Sequence, residues 1–288
     1  MTAAPPLAVV DERSRFAVVA LGWRDPAGDD GPDRAARLRS AVTPGAVSLA
    51  WTATAGAQSL TAVLPPEGAA AWTALTLERA QGAGDPVLAV VGPERAVCET
   101  SRPVSVPAAA PLPSALHQSR EQGYESTIVT GADPSGEVGH AATFLALCRL
   151  TAGAEPLVPA ALRSAGGDAV AQVARGLRSS RPSLTWQVVS PAGQGIPTLE
   201  TVLRTVLDGR AAHGEGARAA HAFARANLLR AWRSPETLAR TLVEYEVMGW
   251  GGALVLDPEP ALAAVDESAL ERAVAGLVRP VADVVGWG

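Results

Sequence analysis

The sequence predicts an α+β chain of two half-domains, each a mixed or antiparallel sheet packed with helices. Three observations predict it. Short apolar runs with period two alternate with longer stretches of helical period. The order strand, helix, strands, helix recurs roughly twice. A proline-rich stretch separates the two rounds.

Residues 16–21, "FAVVAL", have the apolar run of a buried strand. Residues 47–54, "VSLAWTAT", put Val47, Leu49, Trp51 and Ala53 on one face, and "SLTAVL" repeats the alternation through Leu60, Ala62 and Leu64. A short Gly-containing break between them predicts an antiparallel hairpin with one buried face. "PPEGAAAWTALTLERA" has helical spacing, with Ala71, Trp72 and Leu75 on one side. "PVLAVVG", 86–92, is a second short apolar strand. Residues 101–114, "SRPVSVPAAAPLPS", hold four prolines and little periodicity, the composition of a linker. The expected division is a half-domain over 1–104, a linker over 105–115 and a second half-domain over 116–288.

The second half restarts with a strand, "STIVTG", at 126–131. A helix follows, "GEVGHAATFLALCRLTAG", with Val138, Ala141, Leu145 and Cys148 on one face. After a short helix, "LVPAALRS", the strand "SLTWQVVS" aligns Leu184, Trp186 and Val188. "PTLETVLRTVLDG" is a helix with Pro197 in its first turn and Leu199, Val202, Leu203, Val206 and Leu207 as its stripe. In the tail, Ala220, Ala224, Leu228 and Ala231 share one helical face. The next helix has Ser234 as its cap and Pro235 at its first position, with Leu238, Leu242, Tyr245 and Met248 as its stripe. A last helix begins at Asp266, where Val265 and Leu270 have the spacing of a hydrophobic staple.

The 288 residues suffice for one large domain or two ordinary ones, and 48% hydrophobic content supports a substantial core. Net charge is −5 with a pI near 5.5, which gives nucleic acid no concentrated positive surface. All 24 basic residues are Arg. Cys98 and Cys148 form no C-x-x-C pair and read as small buried hydrophobes. The N-terminus lacks a basic region followed by a long apolar run, and no run reaches membrane-spanning length. A cytoplasmic protein with no membrane or nucleic-acid partner is expected.

The tail, "ARAAHAFARANLLRAWRSPETLARTLVEYEVMGWGG" followed by "ALAAVDESALERAV", resembles the closing helices of the insulinase-like (pitrilysin-type) metallopeptidases, the family of the mitochondrial processing peptidase. "RSPETLA", "YEVMG" and "AAVDESALERA" carry the likeness. Upstream, "LTAGAEPLVPAALRSAGGDAV" resembles the family's Gly-rich turn and following helix. Leu162, Arg163 and Gly167 fit, while Val170 stands at the family's Tyr position. "VVALGWRDPAGDDGPDRAARL" resembles the strand, turn and zinc helix, and "VSLAWTATAGAQSLTAVLP" the hairpin after it. The resemblance covers residues 16 to about 279 and implies a shortened first half.

The zinc helix of that family needs H-x-x-E-H. Two His one turn apart face the metal, and the Glu activates its water. Aligned on Gly31, the positions here are Arg34, Arg37 and Leu38. Residues 1–116 contain no His. His117, His140, His213 and His221 form no metal pair at helical spacing. His213 and His221, with Glu215 between them, read as surface residues at a helix start. The resemblance therefore implies a degenerate member without metal or cofactor of its own and without catalytic residues. In the family's Arg/Tyr pair, Arg holds a substrate carbonyl and Tyr donates to the developing oxyanion. Arg163 is kept, and Val170 has no donor; Arg163 also reads as an ordinary helix-end arginine.

Other devices are absent from the sequence. There is no G-x-S-x-G elbow, and without Lys no Walker loop. Glu244 and Glu246 are two apart on a helix and do not face together. Trp51, Trp72, Trp186 and Trp232 read as core or interface anchors. By resemblance, the chain is expected to be the non-catalytic subunit of a heterodimeric zinc peptidase that matures precursor or leader peptides, with zinc in the partner and a peptide as the other ligand. The alternative is a stand-alone, homo-oligomeric peptide-binding or scaffold protein.

Overall fold

A computed structural model of the chain describes residues 6–24, 38, 40, 42–43, 45–54, 57–80, 86–102, 110–153, 156–164, 168–178, 181–208 and 214–286. The described strands are β1 Leu7–Val10, β2 Ala17–Arg24, β3 Ser48–Thr54, β4 Ala57–Leu64, β5 Val87–Gly92, β6 Ala115–Glu121, β7 Tyr124–Ala132, β8 Val170–Arg178 and β9 Arg181–Pro191. The described helices are α1 Ala69–Arg79, α2 Glu94–Thr100, α3 Ser135–Val138, α4 His140–Thr151, α5 Leu157–Ser164, α6 Gly195–Asp208, α7 Gly214–Leu229, α8 Pro235–Val247, α9 Ala253–Leu256, α10 Pro258–Ala263 and α11 Glu267–Val285. The architecture is α+β, as the sequence predicts.

The chain forms two compact units. One gathers Met1–Ala109, Leu177–Ser180 and Leu228–Leu256; the other gathers Ala110–Gly176, Arg181–Asn227 and Asp257–Gly288. The segment Leu228–Leu256, which the sequence assigns to the second half, thus groups with the first unit.

The first unit's sheet has the order β1-β5-β2-β4-β3. β1 runs parallel to β5, and the other pairs are antiparallel. One face buries Val19, Leu21, Leu60, Ala62 and Leu64 against Trp72 of α1 and Val97 of α2. The other face is covered by α8, which packs on β2, β4 and β5. This second cover explains why β4 is buried at every position, where the sequence predicts a hairpin with one buried face. The approach is closest at Gly22, where a Cβ would stand 2.1 Å from Val243 Cγ1. A strand buried on both faces loses the alternation by which a one-sided strand is recognised.

Cap chemistry starts α8 and α11 where the sequence places them. The Thr237 N–H donates to Ser234 Oγ at 3.1 Å, with Pro235 in the first turn. The Ala269 N–H donates to Asp266 Oδ1 at 2.6 Å. These contacts satisfy backbone donors that a helix start leaves open.

The second unit's sheet has the order β6-β7-β9-β8. Leu184, Trp186 and Val188 of β9 are buried, and the Trp186 indole donates to the Leu277 carbonyl of α11 at 2.8 Å. Gly131 lets α11 close onto β7, since a Cβ there would lie 2.5 Å from Pro280 Cγ. Ala220 and Ala224 of this unit are buried, as are Leu228 and Ala231 of the first.

Several expectations shift. α1 buries Ala69, Trp72, Thr73 and Thr76 instead of Ala71 and Leu75, because Thr73 and Thr76 turn their hydroxyls back to the carbonyls of Ala69 and Trp72. Leu207 stands 47% exposed. The helix expected from residue 136 is broken between α3 and α4 at Gly139, whose φ is 90°, a conformation that L side chains resist.

The buried carboxylate of Glu125 ties β6, β7 and the start of α6 together. It accepts from the Gly193 N–H at 3.0 Å, Thr127 Oγ1 at 3.1 Å, Gln118 Nε2 at 2.7 Å and Arg120 Nε at 3.2 Å. The Gly193 bond, followed by Thr127 and Arg120, holds its carboxyl below the usual glutamate range against the opposing effect of burial. A lowered folded pKa adds stability that is full above the unfolded value and is lost as pH falls through the folded one. Acidification below about pH 4.3 should therefore destabilise the wild type more steeply than Glu125→Gln. Urea midpoints measured at falling pH check this; parallel curves for the two proteins would contradict it.

Candidate functional site

Two places correspond to the positions singled out in the sequence. The first follows β2. Arg34 and Arg37 lie outside the described residues. Leu38 is helical, as are Ser40 and Val42. Its side chain is 4% exposed and belongs to the hydrophobic cluster formed with Trp23, Trp72 and Val42. The Trp72 indole donates to the Val42 carbonyl at 2.8 Å and fixes this turn against α1. Trp23 and Trp51 meet edge to face, with ring centroids 5.4 Å apart.

The donor set here does not fit zinc. Catalytic zinc takes imidazole, carboxylate or thiolate ligands. The three motif positions offer two guanidinium groups by sequence and one alkyl side chain turned into the core. Among the described residues, no group of three or more His, Cys, Asp or Glu could hold a metal ion. His117 and His140 are exposed on β6 and at the start of α4. His213 lies outside the described residues. His221 is half-buried on α7, in a groove also lined by Arg225 and Glu259, and burial pushes its imidazole pKa down.

The second place is the edge of the second sheet. α5 buries Leu157, Val158 and Ala161 and leaves Arg163 exposed in its last turn. Gly167 lies outside the described residues. Val170 opens β8 and is 59% exposed. Arg163 and Val170 thus stand exposed at the two ends of the connection between α5 and β8. Beside them, Thr151, Val158, Pro159, Ala171, Gln172 and Val173 line a groove of about 240 Å³. Among the described lining residues none is charged.

Behind this edge, Arg175 of β8 pairs with Asp133. The Nε–Oδ2 distance is 2.6 Å, and the two side chains are 2% and 1% exposed. Nη2 reaches Asp133 Oδ1 at 3.2 Å, and the Ser135 N–H donates to the same oxygen at 2.9 Å. The Ser135 hydroxyl also bonds to both partners. This pair was not singled out in the sequence. The available signal is the strand "VAQVARGLR", where Arg175 shares a face with Val173 and Leu177.

Glu244 and Glu246 do separate work. Glu246 Oε2 accepts from the Gly252 N–H at 2.7 Å. Burial pushes the Glu244 carboxyl pKa up, opposed by Arg240 and a bond to Ser59.

No family model matches the chain, and none of the curated proteins does. Solved structures do match. A protease from Helicobacter pylori superposes with a TM-score of 0.58 over 96% of this chain and 95% of that one, at 9% identity. The peptidase M16 inactive domain from Pseudomonas fluorescens gives 0.55 over 92% and 91%, at 12% identity. The chain has an M16-like peptidase fold. A putative M16-like peptidase from Alicyclobacillus acidocaldarius agrees, with a TM-score of 0.51 over 94% of this chain and 91% of that one, at 13% identity. This is the fold that the insulinase-like resemblance implies. Among the described residues of this M16-like chain, no helix is long and apolar enough to cross a membrane.

Proposed function

We propose that this chain is the non-catalytic subunit of a heterodimeric insulinase-like zinc peptidase, which forms part of a peptide chamber and helps bind a precursor or leader peptide for maturation. The observation that carries the reading is Leu38, an alkyl side chain packed in the core at the motif's last ligand position. An M16-like scaffold whose sequence lacks H-x-x-E-H, with no metal-holding cluster among the described residues, supports a binding role, with zinc supplied by a partner subunit. Arg163 is the residue proposed to meet the peptide, and Val170 leaves that contact without a phenolic donor.

The test is a cleavage assay with an H-x-x-E-H protein from the same genome. The zinc-bearing chain alone should cleave its peptide slowly or not at all. Adding this chain should raise the rate, and Arg163→Ala should weaken that stimulation by raising KM. Cleavage that is indifferent to the added chain would contradict the proposal.

A further inference from the structure

The charge of this acidic chain is unevenly spread. From Gly216 to Pro235 the sequence carries four Arg and no Asp or Glu, in a chain with 24 Arg against 29 acidic residues. Part of that stretch, Arg230–Arg233, folds as one short 3₁₀ turn of the first unit, just before the Ser234 cap of α8. Ala231 turns into the core at 4% exposure, whereas Arg230, Trp232 and Arg233 face outward. Residues three apart on a 3₁₀ turn stand one above the other, about 6 Å apart along the axis. Arg230 and Arg233 therefore form one row, with Trp232 beside it. Among the described residues, neither guanidinium meets a carboxylate, and the exposed Glu236 of α8 pairs with neither.

Trp232 is held in place although it is 43% exposed. Its indole N–H donates to the buried Val255 carbonyl of α9 at 2.9 Å. The polar end of the ring is thus satisfied inside the unit, and what faces solvent is apolar. A pinned ring loses little freedom when a partner covers it. Trp and Arg together are the residues most enriched where protein partners gain their binding energy. Charge complementarity then sets the partner's chemistry. Two unpaired guanidinium groups one turn apart call for two carboxylates at the same spacing, which a helix supplies from residues three or four apart. Two arginines in a chain of net charge −5 are too few to hold a nucleic-acid backbone. A single half-exposed ring gives a lipid surface little apolar area to bury.

We propose that the turn Arg230–Arg233 is a docking anchor for a protein partner, which presents an acidic helix with two carboxylates one turn apart to Arg230 and Arg233 and an apolar side chain to Trp232. The inference goes beyond the proposed function and needs neither zinc nor the peptide chamber.

The test is fluorine NMR of the full chain labelled with 5-fluorotryptophan. The chain has seven Trp, and Trp232→Phe identifies the Trp232 signal by its loss. The probe is the blocked peptide Ala-Ala-Gln-Ala-Glu-Ala-Ala-Leu-Glu-Ala-Ala-Gln-Ala-Ala-Ala; a control peptide has Gln in place of both Glu. The acidic peptide should shift the Trp232 signal and leave the other six in place. The control should bind about tenfold more weakly or worse, and so should the acidic peptide to the double variant Arg230→Gln with Arg233→Gln. Both arginines are exposed, so the double variant should fold as the wild type does, which its unchanged remaining signals would show. Added salt should weaken the binding. No shift at millimolar peptide, equal binding of both peptides, or binding indifferent to the arginines would overturn the proposal. A Trp232 shift with phosphatidylglycerol vesicles or a DNA oligonucleotide, and none with the peptide, would overturn it in favour of a membrane or nucleic-acid surface. The assay uses this chain alone, so a missing zinc partner would sink the subunit reading and leave this inference standing. A heterodimer whose chain shows no Trp232 response to the peptide would do the reverse.

Discussion

Arg175→Met should lower the stability of the chain by about 3–5 kcal/mol, because it strands the Asp133 carboxylate in the interior. The pair is almost wholly shielded from water. Removing the guanidinium takes away two hydrogen bonds to Asp133 and one to the Ser135 hydroxyl. Among the described residues, Ser135 is what still bonds the buried anion. The double variant Asp133→Asn with Arg175→Met should recover much of the loss, since the amide no longer needs a counter-charge. Urea midpoints of the wild type, both single variants and the double variant give the coupling directly. A single-variant loss below about 1 kcal/mol would place the pair with exposed ion pairs and contradict this account.

Leu38→His, which places the second His of the insulinase-like H-x-x-E-H motif at that position, should destabilise the chain by about 3 kcal/mol or more. The imidazole would replace an alkyl group packed against Trp23 and Val42. The variant should take up no more zinc than the wild type, because by sequence Arg34 stands one turn earlier and Arg37 at the motif's Glu position. Leu38→Met, which nearly conserves volume, should cost less than about 1.5 kcal/mol. Urea unfolding and zinc analysis of the purified variants check both statements. A Leu38→His chain of wild-type stability that binds zinc would contradict this account.

Legibility in the sequence followed burial pattern. α7 and β9 bury one face each, so Ala220, Ala224, Leu228, Leu184, Trp186 and Val188 stood out by period. Caps were legible because Ser234–Pro235 and Asp266 are chemically specific signals. β6 was missed because all its residues are exposed and no apolar alternation marks it. β8 was missed because Arg175 interrupts its apolar face, and only the fold supplies the Asp133 that accounts for it. The second cover of the first sheet was also hidden. Nothing local in "FAVVAL" says that a helix some two hundred residues later will pack on its far side.

At the candidate site, the sequence marked Arg163, Val170 and Leu38 by resemblance. It could not mark the groove, which forms from Thr151, Val158 and Pro159 meeting Ala171, Gln172 and Val173. Those residues are unremarkable one by one and acquire meaning from juxtaposition.

The most direct measurement of the central claim is native mass spectrometry of this chain co-expressed with the H-x-x-E-H protein of the same genome, reading mass and zinc content together. A heterodimer carrying one zinc is the result the proposed function predicts. A zinc-free homo-oligomer that ignores the other chain would contradict it and leave a stand-alone peptide-binding protein.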